Sequence, residues 1–363
     1  MSVTRYPAAA VRRQIEVVLH AWGMPEHHIA ITADAMVETD LMGIDSHGIS
    51  MLILYDQMQR AGQLQLGTEP TIVRQTASTA LMDGSAGLGH PVAVAAMQLA
   101  IDKALAHDVG IVTVFNSHHF GACGYYAQMA ARKNLIAFIS TTSRIVTVTP
   151  TRGSARVLGA NPLCFAIPTG NGPPIMVDIS TSVVAANKVK VYAFNGKDIV
   201  SGWVIDADGR PLTDSAVAYD LLFNCKTGGL SPIGGPGMDL GGHKGYGLGI
   251  VAQVLSSSLS GGSFSPVRNR TQKPSDPDNI GHFFMALNPQ AFRPFEDFQR
   301  DVGEMVEVLR ATPSILPDEP VLVPGDPEWT SRRERLENGI PLPNSLVETI
   351  RDIAKSSGAE IAL

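Results

Sequence analysis

The sequence predicts an α/β protein built from more than one lobe. Three observations carry that class. Apolar residues recur at helical spacing over about the first 65 residues, short β-prone runs then alternate with helical stretches from Thr71 to Ser140, and a glycine-rich segment precedes an apolar helix at Leu248. At 363 residues the chain exceeds one ordinary core, so two or three lobes are expected.

Taken in order, Ala8 to Met24 and Glu26 to Ile44 have helical periodicity, with Ile29, Ala33, Met36, Val37, Leu41 and Ile44 on one face. A third helix follows Gly48, carries Met51, Leu54, Tyr55 and Met58, and ends at Ala61-Gly62. Strands are predicted at Thr79 to Met82 and Ile111 to Phe115 around a helix from Val92 to Ala106, followed by a helix at Tyr125 to Lys133 and a strand at Leu135 to Ser140. Ile145 to Val148, Cys164 to Ile167 and Ile175 to Val177 are strand-like pieces separated by Pro150, Gly153, Asn161-Pro162 and the turn at Gly170 to Pro174. Residues 226 to 247 hold nine glycines, a density that points to a ligand rather than a packed element. A helix at Leu248 to Leu259, a strand at His282 to Leu287 and helices at Phe292 to Leu309 and Pro343 to Ser356 complete the chain, the last two joined by the Pro-rich segment 313 to 327.

Composition narrows the function classes. A hydrophobic fraction of 44% with 17% charged residues is that of a compact globular protein, and a net charge of −6 lacks the basic patch a nucleic-acid surface requires, so small molecules are the expected partners. Cys123, Cys164 and Cys225 are odd in number and without metal-ligand spacing, which predicts reduced thiols, no resident metal and a cytoplasmic protein. Arg12, Arg13, Glu16 and His20 interrupt the N-terminal apolar run, so neither a signal peptide nor a membrane span is expected.

Several strings carry chemistry. Gly43-Ile44-Asp45-Ser46-His47-Gly48 closes the second helix with proton-handling side chains, and Tyr55 follows two helical turns later. An isolated histidine is more often a packing or capping residue, so His47 needs company to count. Asn116-Ser117-His118-His119-Phe120-Gly121 stands at a strand end, where α/β proteins place ligands; adjacent side chains diverge, so at most one of the two histidines faces a site. Gly87-Leu88-Gly89-His90-Pro91-Val92 lacks the third glycine of a Rossmann loop and reads as a helix start. Gly237 to Gly245 resembles a P-loop loosely, with Lys244 one position late and Gly245 in place of the hydroxyl residue; Lys244 either binds phosphate at the helix start or is a solvated lysine. Asp178-Ile179-Ser180-Thr181-Ser182 after the strand at Ile175 either caps a helix or binds ribose and phosphate.

Together these strings, with Leu158-Gly159-Ala160-Asn161-Pro162-Leu163, Gly242-His243-Lys244-Gly245 and Val323-Pro324-Gly325 in this order, resemble the malate/L-lactate (sulfolactate) dehydrogenase family of the non-Rossmann type, from Ile15 to about Pro343. The family also includes ureidoglycolate dehydrogenase, 2,3-diketo-gulonate reductase and Δ1-piperideine-2-carboxylate reductase. The resemblance implies a non-Rossmann malate/L-sulfolactate dehydrogenase-like α/β fold with a mixed sheet and a helical lobe drawn from both termini. The lobes implied are 1–73 with 310–363 (helical), 74–134 with 245–309 (α/β) and 135–244 (sheet-rich, nucleotide-binding). The implied reaction is hydride transfer between NAD or NADP and C2 of a small 2-oxo or 2-hydroxy acid. An imine reductase and a cofactor-binding protein without turnover are the alternatives.

The resemblance also implies roles. His47 or His119 is the acid/base, with Ser46 or Asp45 orienting the ring; Tyr55 and Ser143 contact substrate. Val177, Asp178, Ile179, Ser180, Thr181 and Ser182 hold the dinucleotide with His243, Lys244 and Gly245, and Pro324, Gly325 and Asp326 close over it. Relatives are homodimers or assemblies of dimers. Two departures stand out: Met51 occupies the place of an arginine that grips the substrate carboxylate, and Asn187-Lys188 replaces Gly-Lys. Arg144, beside Ser143, is the expected replacement clamp, because a guanidinium fork matches a carboxylate.

Overall fold

The structure is a computed structural model that describes residues 3–170 and 172–363; Asn171, inside the expected turn at Gly170 to Pro174, lies outside the described residues. Strand β1 (Val3–Tyr6) leads into α1 (Ala8–Ala21), α2 (Glu26–Leu41) and, after a tight turn at Ile49–Met51, α3 (Leu52–Arg60). Next come β2 (Thr71–Gln75), β3 (Thr79–Asp83), α4 (Gly89–His107), β4 (Val109–Ser117), α5 (Cys123–Ala131), β5 (Ile136–Thr141), β6 (Leu163–Ile167) and β7 (Ile175–Ile179). A smaller region holds α6 (Ala186–Phe194), β8 (Val204–Ile205), β9 (Pro211–Leu212), α7 (Ser215–Asn224) and β10 (Gly229–Leu230). The chain ends with α8 (Gly242–Gln253), one wide π turn at Val254–Ser258, α9 (Ser265–Arg268), β11 (Ile280–Leu287), α10 (Phe295–Ala311), α11 (Asp326–Asn338), β12 (Ile340–Pro343) and α12 (Asn344–Ser357).

Seven strands form one mixed sheet in the order β2-β3-β4-β11-β5-β6-β7. β3 and β4 run parallel because α4 carries the chain back between them, and the remaining neighbours are antiparallel. The strand pieces at 136–141, 163–167 and 175–179, expected in a nucleotide lobe at 135–244, hydrogen-bond into this same sheet. β11 sits between β4 and β5, pairing Phe284 with both Val112 and Ile139, a long-range insertion that no local pattern encodes. Ile145 to Val148, expected as a strand, contributes only single bridges from Val148 to Leu158 and Leu230.

The buried apolar side chains fall into three clusters. One lies between α4, α5 and the sheet, where Ala93, Ala96, Ala100 and Ala104 let the helix sit close to Val112 and Val114. The second joins Val11, Ile15, Leu19, Met36, Leu52 and Tyr55 to Ile340, Leu342, Val347 and Ile350, so the helical lobe is made from both ends of the chain. There β1 and β12 pair antiparallel, Tyr6 opposite Ile340. The third packs Val148, Leu158, Val189, Val204, Ala218 and Leu230 under α6 and α7. Among the described residues no helix is long and apolar enough to cross a membrane.

Candidate active site

The end of α2 folds back on itself to present His47. Ile44 N–H donates to Thr39 O at 3.1 Å and His47 N–H to Ile44 O at 2.9 Å. The next turn is tied down by Ile49 N–H, which donates to the buried Asp40 Oδ2 at 2.8 Å. Ser46 Oγ lies 2.7 Å from His47 Nδ1, so the serine fixes that edge of the ring and Nε2 is left for a substrate proton. Burial pushes the His47 pKa below its ordinary value of 6.5.

The partner histidine comes from the end of β4. His47 and His119 rings stand 5.4 Å apart, centre to centre. Gly121 N–H donates to His119 Nδ1 at 3.3 Å, and Tyr55 Oη lies 2.8 Å from the same nitrogen. A backbone N–H can only donate, so Nδ1 is the acceptor and the ring hydrogen sits on Nε2. Burial, helped by the neighbouring His47, His90 and His282, holds His119 well below its ordinary pKa. His119 is therefore a neutral hydrogen-bond donor. His118 points away, as adjacency requires: it is buried, with Nδ1 3.0 Å from Gly87 O and Nε2 accepting from Asp278 N–H at 3.3 Å.

Three of the expected contacts are placed differently. Asp45 does not orient His47; its carboxylate forms an ion pair with Arg335 of α11, and its side chain is 57% exposed, because the turn at Gly43 directs it to that helix. Tyr55, expected against substrate, is fully buried, and its hydroxyl is engaged by His119. Arg144 Nε is held 3.1 Å from the buried Asp278 carboxylate, the residue whose N–H bonds His118, so the expected clamp is engaged by an internal carboxylate. Ser143 is half-buried, and its N–H donates to Asn161 Oδ1 at 3.3 Å.

Residues the motifs did not single out hold the site together. Arg335 Nη1 also donates to Asp40 O at 2.6 Å, so one guanidinium braces both ends of the histidine loop. Burial pushes the Asp40 carboxyl up to about 8, the Ile49 hydrogen bond opposing the rise. Asn161 is fully buried and donates to Gly249 O and to Gln253 Oε1, joining the Ser143 segment to α8. His90, edge-on to Tyr55 at 5.7 Å, is buried with neither ring nitrogen partnered and is pushed down to about 3 by burial and then by His47.

The expected dinucleotide residues converge in part. Ile233 N–H donates to Thr181 O at 2.9 Å and Ser182 bridges Pro232, which seats the end of β7 against the loop before α8. His243, Lys244 and Gly245 form the first turn of α8; a Cβ at Gly245 would fall 2.3 Å from Ile233 O, so only bare backbone allows this approach. The set fits a phosphate-bearing cofactor. Helix-start N–H groups attract an anion, Lys244 is exposed, and His243 Nδ1 is buried without a partner. Val177 and Ile179 flank Asp178 at the edge of the sheet, Ile179 being exposed. Asp178 accepts from Gly124 N–H at 2.7 Å and so caps α5 across the sheet rather than a helix of its own; burial pushes it up to about 6. Ser180 Oγ and Ser182 Oγ bond each other at 2.9 Å within the turn.

Pro324 and Gly325 lie along the start of β7, where Met176 N–H donates to Pro324 O at 3.0 Å, at the opposite end of the strand from Ser180. Asp326 is engaged by Val323 N–H and by Arg310. Lys188, in the departed Asn187-Lys188 pair, lies 5.2 Å over the Trp203 ring. A groove of about 680 Å³ on the helical lobe, lined by Arg13, His20, Glu26 and Glu360, shares no residue with the histidine pair.

Comparison with known proteins gives the same result along the whole chain. A family model described as malate/L-lactate dehydrogenase matches residues 6–351. A malate dehydrogenase of Pyrococcus abyssi is 40% identical over 344 residues, covering 94% of this chain and 92% of its own. A malate/(S)-sulfolactate dehydrogenase of Methanothermus fervidus is 35% identical over 350 residues, covering 96% and 97%. The crystal structure of malate dehydrogenase from Entamoeba histolytica matches the fold with a TM-score of 0.94 at 28% identity, covering 100% of both chains. The failed Rossmann fingerprint, the mixed sheet and the family match agree: the chain belongs to the malate/L-lactate dehydrogenase family, oxidoreductases that transfer a hydride between NAD or NADP and C2 of a small 2-oxo or 2-hydroxy acid.

Proposed function

We propose that His47 is the acid/base of a 2-oxo acid reductase, that His119 donates a hydrogen bond to the substrate carbonyl, and that Ser143 and the anchored Arg144 hold the substrate carboxylate. The observation that supports the division is Gly121 N–H on His119 Nδ1: with Nδ1 accepting, His119 offers an Nε2–H donor to the carbonyl, and proton transfer is assigned to His47. Oxaloacetate, pyruvate and sulfopyruvate, the oxo forms of the acids in the relatives' names, are the substrates to test.

A nicotinamide cofactor, when bound, would supply or accept the hydride at C2. The chain's part is to steady the carbonyl oxygen through His119 Nε2–H and to protonate it from His47 as charge develops, since an unneutralised alkoxide in a dry pocket is costly. In the reverse direction neutral His47 removes the hydroxyl proton. Thr181, Ser182, His243, Lys244 and Gly245 would hold the phosphates at the start of α8, while Pro324 with Gly325 lies at the far end of β7.

Leu248, Val251 and Val254 make an exposed apolar stripe along α8 and its π turn, and Met305, Val308 and Leu309 another on α10, surfaces suited to a second copy in a cytoplasmic homodimer. The deciding experiment is a turnover screen with NADH and NADPH against these acids, using the parent, His47→Asn and His119→Asn. His47→Asn is expected to lose roughly 10² to 10⁴ in kcat, the range for a general acid. Near-parental turnover in folded His47→Asn eliminates the assignment.

A further inference from the structure

α2 begins with a cluster that the active site does not use. His27 and His28 occupy its first turn, and Glu69 comes from the connection between α3 and β2. Successive helical residues diverge by about 100°, yet these two rings stand 4.2 Å apart and tilt toward a common point. His27 Nε2 lies 2.8 Å and His28 Nε2 3.2 Å from the same carboxylate oxygen, Glu69 Oε1. The three donor atoms all lie within 4.8 Å of one another.

The burial is asymmetric in an informative way. The His28 side chain is 4% exposed and the Glu69 side chain 61%. A hydrogen bond joins His27 to Glu69, while His28 Nε2 approaches at close range without hydrogen-bond alignment. A buried imidazole and an exposed one thus converge on a single carboxylate oxygen. With the ring hydrogens on Nδ1 instead, two imidazole lone pairs and a carboxylate oxygen face one another, a set that a cation between them would satisfy.

We propose that His27, His28 and Glu69 form a binding site for a divalent transition-metal ion of the zinc or nickel type. Metal bonds to imidazole nitrogen and carboxylate oxygen are about 2.0–2.2 Å, which puts tetrahedral ligand atoms about 3.4 Å apart; the 2.8 and 3.2 Å separations need only small outward shifts. Two imidazoles and one carboxylate favour zinc, nickel or copper over magnesium or calcium, which take oxygen ligands. Water fills the remaining position on the exposed side. The positive end of α2 opposes a cation weakly, and Glu26 in the same turn with Glu69 offsets it.

The ion's role is structural. Leu41 lies thirteen helical steps after His28, so the site lies roughly 20 Å along α2 from the histidine loop. It fastens the segment leaving α3, the helix that carries Tyr55, to the start of α2. The inference is independent of the catalytic assignment.

The test is calorimetric titration of the chelator-stripped full chain with zinc chloride, nickel chloride and magnesium chloride, alongside thermal melts. The parent is expected to take up one zinc per chain with micromolar affinity, ignore magnesium, and gain about 3 °C in Tm when zinc exceeds Kd a hundredfold. His27→Ala and Glu69→Gln change exposed side chains, so folding is preserved; each is expected to lose the bound equivalent and the Tm gain while keeping the parent's zinc-free turnover. Absence of zinc uptake by the parent overturns the proposal, and so does undiminished uptake in both variants.

Discussion

Gly48→Ala tests the packing under His47, the proposed acid/base. The backbone at Gly48 has φ −91°, so no left-handed conformation demands glycine there. Space does. A Cβ at this position would lie 1.8 Å from Asp40 Oδ1, 2.0 Å from Cγ and 2.4 Å from Oδ2. The carboxylate has no room to retreat, being buried at 1% exposure with Oδ2 holding Ile49 N–H. To restore even a 3.0 Å contact the two groups must separate by about 1.2 Å, and His47 is covalently next to the residue that moves. Overpacking of this kind costs about 1–3 kcal/mol of stability, and a displacement of about 1 Å in a catalytic group costs on the order of 10² in rate.

Gly48→Ala is therefore expected to remain folded, lose a few degrees in Tm, and lose roughly two orders of magnitude in kcat with a smaller change in KM. The assay is steady-state turnover of the accepted 2-oxo acid with cofactor absorbance as the readout, with a melt of the same sample. The double variant Asp40→Ala/Gly48→Ala removes the obstructing carboxylate and should recover part of the loss, a coupling that a generally damaged protein does not show. A Gly48→Ala enzyme within threefold of parental kcat would refute the reasoning.

Three further expectations follow from the same region. The folded Asp40 carboxyl, raised from 3.8 to about 8, binds its proton where the unfolded chain does not, so its contribution to stability falls as pH rises from about 4 to 8. Asp40→Asn should gain on the parent by about 2 kcal/mol between pH 6 and 8, seen as Tm curves that diverge with pH; parallel curves contradict it. Arg335→Met removes the donor to Asp40 O and the partner of Asp45, and is expected to cost about 1.5–3 kcal/mol in denaturant melts and to lower kcat more than it raises KM. Because burial lowers the His47 pKa below 6.5, kcat/KM for hydroxy-acid oxidation should rise through that depressed pKa and level off by neutral pH, with reduction showing the opposite limb. His47→Asn should abolish that inflection, and a profile retaining it assigns the titration elsewhere.

The sequence showed the helices of the first lobe and missed α6, α7 and α11. α1 and α2 announce themselves because Val11, Ile15, Val18, Ile29, Ala33 and Met36 repeat at helical spacing into one core. α11 has no buried residue; ion pairs of Arg332 with Glu38 and Arg335 with Asp45 hold it, so there is no apolar period to detect. The same reasoning separates the site contacts. His47 and Ser46 are neighbours in sequence, and their contact is local, whereas Asp45 meets a residue 290 positions away, and the nearest local guess put it on the wrong partner. Tyr55 illustrates a finer limit: its place in the cluster was apparent from helical spacing, but a buried hydroxyl takes whichever acceptor the fold brings, here His119 from β4.

The ribbon formed by β1 and β12 has a consequence in time. Val3 pairs with Pro343, and the core beneath contains both Ile15 and Ile350, so the helical lobe cannot close until nearly the whole chain has been made. Helices α1 and α2 are made before their partners β12 and α12 and wait, with Val11, Ile15 and Leu19 exposed, while the sheet between them assembles. The histidine loop at the end of α2 belongs to that waiting segment. His47, the proposed acid/base, is made well before the strand β12 that closes its lobe and is set in place only after it.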